Sequence, residues 1–125
     1  MITKKEIVIA FILAINLFLL SFFFSRNWIN QTCCPYESQR LYGFPLIIFS
    51  ISKKTQDYTE AQKIYSLHNY ELLNEGWELK GGSNNINFGL SLLLNLFFYL
   101  VASGICVGLF NAFIFTLTQR IREEV

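Results

Sequence analysis

FGLSLLLNLFFYLVASGICVGLFNAFIFTLT, residues 88–118, contains no Asp, Glu, Lys, Arg or His. As one helix it would run roughly 46 Å at ~1.5 Å per residue, well beyond the ~30 Å hydrocarbon core of a bilayer. A helix packed on a soluble core needs a wet face, and this stretch has none. It is expected to cross a membrane, with the surplus length tilting or projecting. Asn84, Asn85, Asn87 and Gly89 suit its entry at the interface, where Asn85 or Asn87 would cap it. Arg120 and Arg122 close it. No Pro or turn cluster interrupts it, so one helix is expected and not two short ones.

Working toward the N-terminus, residues 7–24 form a second charge-free run, preceded by Lys4 and Lys5 and followed by Ser25, Arg26 and Trp28. At roughly 27 Å of helix it nearly matches the same core. It exceeds the apolar length of a secretory signal and ends in Phe22-Phe23-Phe24-Ser25-Arg26 without a small-x-small cleavage site, so an uncleaved anchor is expected. Lys4, Lys5, Arg120 and Arg122 flank one side of the two runs, and Arg26, Arg40 and Lys80 the other. The excess of basic residues puts both tails in the cytoplasm.

In lipid, helices associate through close backbone approach and interhelical hydrogen bonds. Gly104, Gly108 and Ala112 recur every fourth residue and lay a flat stripe along one face, with Asn111 beside it. Ala10 and Ala14 offer the same spacing in the first run. Asn16 and Asn111 lie at similar depth, counted from Lys5 and Arg120, so a cross-helix amide bond is a further candidate. Asn16 points away from Ala14, however, at ~100° per residue, and one face of the first helix cannot supply both contacts. Ser91, Asn95, Phe98 and Ala102 mark a differently facing stripe.

Between the runs, residues 41–51 are apolar and aromatic. Gly43 and Pro45 bracket a turn, and 46–51 reads as a strand or a membrane-surface segment. Asp57-x-x-Glu60 resembles a capping box. Ala61, Ile64, Tyr65, His68 and Leu72 then recur at helical spacing, predicting one amphipathic helix over 58–74 that ends near Gly76. Lys80-Gly81-Gly82-Ser83-Asn84-Asn85 reads as a flexible return. Trp28, Tyr36, Tyr42 and Trp77 suit an interfacial belt.

With Arg40-Leu-Tyr-Gly-Phe-Pro-Leu-Ile-Ile-Phe-Ser50 in view, the layout resembles that of small bacterial two-transmembrane proteins of uncharacterised activity. These carry a Cys-containing stretch after the first span, a Gly-(Phe/Trp)-Pro-aromatic segment, and an Asn in the second span. The matching positions are Cys33 or Cys34, Gly43-Phe44-Pro45 and Asn95, with Leu46-Ile47 standing where a further aromatic–proline pair is expected. The resemblance implies a layout and no activity.

Chemistry-bearing motifs are sparse. A net charge of +1 over 125 residues offers no basic patch for nucleic acid. Adjacent Cys33 and Cys34 are placed poorly for bridging each other. They are candidates for a disulfide to another chain if the loop is external, or for lipidation if it is cytoplasmic. Cys106 reads as a small packing residue. His68 with Glu71 and Glu75 shares a helix edge, but single-histidine metal sites are uncommon. Lys80-Gly81-Gly82-Ser83 lacks the spacing of a phosphate loop. Asn30-Gln31-Thr32 is a glycosylation sequon.

The resulting expectation is a mainly α membrane fold, a two-transmembrane-helix antiparallel hairpin. Its parts are a tail (1–6), a span (7–24), an extracytoplasmic connecting segment (25–87) with an amphipathic helix and a short extended stretch, a second span (88–118) and a tail (119–125). The expected role is a non-enzymatic accessory or interaction subunit without a catalytic, cofactor or metal site. Its partners would be the lipid bilayer and another membrane protein or a second copy. The alternative is an oligomeric pore-forming or transport-accessory protein.

Overall fold

The computed structural model describes residues 2–30, 33–82 and 86–125. The element order is α1 (Lys4–Ser21), β1 (Ser25–Ile29), β2 (Tyr36–Tyr42), β3 (Phe49–Thr55), α2 (Tyr58–Ser66), α3 (Asn69–Asn74), β4 (Glu78–Gly81) and α4 (Phe88–Glu124). Two compact units result. One comprises Met1–Leu19 with Leu96–Val125, the other Leu20–Asn95.

The Leu20–Asn95 unit is built on a four-stranded sheet in the order β1-β2-β3-β4, antiparallel throughout. Its strands alternate as a one-sided sheet must. Ser38, Arg40 and Tyr42 face α2 and α3 together with their neighbours Ile29, Asn27 and Ile51, while Glu37, Gln39 and Leu41 take the opposite face. Tyr42, Ile51, Ile64, Leu72 and Trp77 form the core, joined by Ile29, Phe49 and Leu67. Burying each large side chain contributes about 1.5–3 kcal/mol. Tyr42 and Phe49, register partners on β2 and β3, stack with ring centroids 4.5 Å apart. Ser38 is small enough to let α2 approach the sheet, and its hydroxyl donates to the Ala61 carbonyl (3.1 Å).

Local signals set the helix ends. Asp57 caps α2, its Oδ1 accepting from the Thr59 amide (2.9 Å). Glu60 does not complete the box; it accepts from Lys53 Nζ (2.8 Å), and Lys53 also donates to the Glu75 carbonyl (3.0 Å), tying α2 and the end of α3 to β3. The helix expected over 58–74 breaks at Leu67 and His68, both extended. Restarting there lets the His68 amide donate to Glu71 Oε2 (2.7 Å). That bond, foremost, holds the Glu71 carboxyl below its usual range. A depressed carboxyl pKa stabilises the fold above the ordinary carboxylate range, and the contribution is lost as pH falls through the lower folded value. A carbon-detected NMR titration should give Glu71 a midpoint below that of a model glutamate, with the protection factors of α3 amides, corrected for the intrinsic exchange rate, falling on acidification. A midpoint at or above the ordinary value would refute the cap.

The two-span helical hairpin is overturned. Among the described residues one helix, α4, is long and apolar enough to cross a membrane. The α1 helix opens with Lys4, Lys5 and Glu6 and ends at Ser21, leaving roughly 22 Å of charge-free helix, short of a ~30 Å core. The last apolar residues of the 7–24 run leave the helix. The amides of Phe23 and Phe24 donate to the carbonyls of Leu20 and Ser21 (3.1 and 3.3 Å), turning the chain into β1. The connecting segment is likewise more than a helix and a short extended stretch. Its polar strands SRNWI and YESQRLY are sheet elements, β3 begins at Phe49 and not at 46, and the return expected to be flexible holds β4. Tyr42 and Trp77, expected at an interface, lie in the core, whereas Trp28 is exposed.

Candidate functional site

The loop from β2 to β3 begins at Gly43, whose φ of +106° is a left-handed conformation suited to glycine. A Cβ there would lie 2.7 Å from the Leu46 carbonyl oxygen and 2.8 Å from Ile48 Cγ1. The loop closes when the Ile48 amide donates to the Tyr42 carbonyl (2.8 Å). Asn95, fully buried in the first part of α4, holds its middle: the Leu46 amide donates to Asn95 Oδ1 (3.0 Å), and Asn95 Nδ2 donates back to the Leu46 carbonyl (2.8 Å). The Gly43-Phe44-Pro45 stretch and Asn95, far apart in sequence, thus meet at one clamp. Ser91, one turn earlier, is also fully buried.

On the helix-facing side of the sheet, Arg40 is held at three points. Its Nε donates to Asn27 Oδ1 (3.0 Å) and its Nη1 to Asn69 Oδ1 (2.8 Å), while Nη2 donates to the Ile64 carbonyl. Tyr42 donates its hydroxyl to Asn69 Oδ1. All of these acceptors are neutral, and no ion pair to Arg40 is found among the described residues. The guanidinium lines an open groove of about 560 Å³ together with His68, Asn69, Ser66, Phe22 and Phe23. Among the described residues no carboxylate is in that lining.

In the Met1–Leu19 and Leu96–Val125 unit, α1 and α4 run antiparallel. Phe18 meets Tyr99 edge-on with centroids 6.4 Å apart, and Asn111 Nδ2 donates to Glu6 Oε1 (2.6 Å). That register sets Ala14 opposite Ser103, both fully buried. Ala10, Gly104, Gly108 and Asn111 line a groove of about 390 Å³ with Phe11 and Leu100. Of the expected stripes, Ala10, Gly104 and Gly108 share this groove while Ala14 and Ala112 do not, and the glycines are not closed upon, for a Cβ at Gly104 or Gly108 would meet nothing within 4 Å. Asn16 does not pair with Asn111; it donates to the Ile12 carbonyl of its own helix (2.8 Å). Ala112 is exposed.

Other sequence candidates fall elsewhere. Cys33 and Cys34 are joined to each other by a disulfide, against the expectation for neighbours, and Cys106 is free and exposed. His68 begins α3 beside Glu71, and Glu75 pairs with Lys63 Nζ (2.9 Å), so these three do not converge. Among the described residues no group of three or more His, Cys, Asp or Glu is placed to hold a metal. Asn87 caps α4 by accepting from the Leu90 amide (2.8 Å). Asn85, the end of the Lys80–Ser83 stretch, and Gln31 and Thr32 of the sequon lie outside the described residues. Sequence reading missed Asn27, Arg40 and Asn69 as a cluster. The available signal was the period-2 alternation of YESQRLY, which puts Arg40 on the same face as Ser38 and Tyr42. No family model, curated protein or solved structure matches the chain.

Proposed function

We propose that this chain is a membrane-anchored, non-enzymatic interaction subunit in which α4 crosses the bilayer and the sheet unit is the part that α4 carries. The observation behind this reading is the surface of α4. Only 11% of its most apolar 18-residue stretch is buried, whereas the core helix of a soluble protein would be mostly covered. Val101, Ile105, Leu109, Phe110 and Phe113 are all exposed, and lipid is the solvent that suits them. The ionisable side chains on and around β3, α2 and α3 support a structural reading, since Lys53, Glu60, Lys63, His68, Glu71 and Glu75 are engaged with one another or with backbone.

Arg120 and Arg122 in the last turns of α4 favour a cytoplasmic C-terminus. The Cys33–Cys34 disulfide agrees with a sheet unit on the opposite, oxidising side. The partner is another membrane protein, and the uncovered Gly104–Gly108 groove is where an apolar helix would approach closely. A second copy docking there would give the alternative reading, an oligomeric pore-forming or transport-accessory protein.

The expected result of alkaline extraction of membranes is that the full chain stays with the pellet and is released by mild detergent. Recovery in the aqueous fraction overturns the anchor. Crosslinking before affinity purification then separates the partners. One unlike protein supports the accessory reading, and a ladder of identical subunits replaces it with the oligomer.

A further inference from the structure

We infer that the Arg40 groove binds the phosphate of an anionic phospholipid, with Phe22 and Phe23 flanking the acyl part of the ligand. The inference rests on the membrane reading for the source of the phosphate, and on the groove itself for its chemistry. A carboxylate beside a half-buried arginine would cancel its charge. Arg40 is held instead by two amide oxygens and a carbonyl, which fix the plane of the guanidinium without cancelling its charge. A guanidinium has more N–H groups than these three acceptors use, and its planar fork matches the geometry of phosphate oxygens. Asn69, which accepts from both Arg40 and Tyr42 through Oδ1, holds the fork from the α3 side.

The rest of the groove selects among anions. The Ser66 hydroxyl is given to the Lys63 carbonyl (3.2 Å) and His68 Nδ1 faces Glu71 Oε2 (3.4 Å), so Arg40 is the donor the groove offers, and among the described residues no carboxylate is in the lining itself. Phe23 lies at 84% exposure, an apolar side chain left uncovered beside a charged group. A free phosphate has no use for that aromatic lip, whereas a phospholipid brings an apolar chain next to its charged group. The unit that bears the groove also contains Phe22 and Phe23, which follow α1 directly, and the first turns of α4 through Asn95. The groove therefore belongs to the same small folded unit from which the proposed span departs.

The test uses the full chain, labelled with ¹⁵N, in neutral maltoside micelles, and reads the Arg40 Nε–H signal and the amides of Ser66, His68 and Asn69. The titrants are dihexanoyl phosphatidylglycerol, dihexanoyl phosphatidylcholine and inorganic phosphate. A saturable shift is expected with phosphatidylglycerol at a midpoint at least tenfold lower than with either of the others. Arg40→Gln should raise that midpoint at least tenfold, and Phe23→Ala should raise it for the lipid while leaving inorganic phosphate unchanged. Equal midpoints for phosphatidylglycerol and inorganic phosphate make the site one for a free anion and overturn the lipid. Equal midpoints for the two lipids remove the charge selection, and absence of saturation removes the site. If Arg40→Gln loses its amide dispersion, Phe23→Ala decides, and a wild-type midpoint for the lipid there overturns the proposal. Alkaline extraction reports on the anchor separately, so an aqueous chain that still binds the headgroup sinks the anchor alone.

Discussion

Asn95→Ala should release the Gly43-Phe44-Pro45 loop from α4 and destabilise the Leu20–Asn95 unit by about 2–4 kcal/mol. The amide of Leu46 loses its acceptor and the Leu46 carbonyl its donor in one substitution. A buried polar group left unpaired costs about 1–3 kcal/mol, and Leu46 is only half-buried, so water recovers part of two such penalties. The cavity left by a fully buried amide adds to the cost. The expected readings are a fall of about 10–20 °C in the thermal midpoint in detergent and faster hydrogen exchange at the Leu46 amide. Asn95→Asp keeps the acceptor, and its carboxyl must either bury a charge or take up a proton that restores a donor toward Leu46, so its loss of stability should grow as the pH rises. Unchanged exchange at Leu46 in the alanine variant would show that the clamp is not what holds the loop.

Gly43→Ala is the second large effect, and it acts on the same loop from its other end. At φ +106° any L side chain is strained, by roughly 1–2 kcal/mol. The new Cβ would also press on the Leu46 carbonyl oxygen, Ile48 Cγ1 and the Ile48 nitrogen at 2.7, 2.8 and 2.9 Å. Ile48 is fully buried and its amide closes the loop onto Tyr42, so it cannot yield cheaply, and overpacking of this kind costs about 1–3 kcal/mol. A loss of roughly 2–5 kcal/mol follows from the two effects together. Because Asn95 and Gly43 act on the same segment, the double variant should cost less than the sum of the singles. Additive losses would mean that the two residues hold separate structures. A Gly43→Ala protein with wild-type stability would remove the steric account altogether.

Both variants concern residues that stood out in the sequence, yet their joint role did not. Gly43-Phe44-Pro45 was legible as a turn, because glycine and proline constrain the backbone locally. Asn95 was legible as an amide inside an apolar run. Nothing local says that this amide reaches the turn, since the contact closes a long loop of chain. The same holds for Arg40: its strand position follows from alternation, while its partners Asn27 and Asn69 come from a neighbouring strand and from a helix that begins only because the 58–74 stretch breaks at His68.

The sequence by itself determined the elements whose signals are local. Charge exclusion over 88–118 produced α4, and Asp57 and Asn87 set helix starts. Tertiary structure alone decided that the 7–24 run would stop short at Ser21, that polar strands would assemble into a four-stranded sheet, and that Tyr42 and Trp77 would be core residues. The reason is the range of the interactions. A helix satisfies its own backbone within four residues. A strand's backbone is satisfied only by another strand, so a polar segment such as SRNWI carries no sign of its pairing until β2 lies beside it.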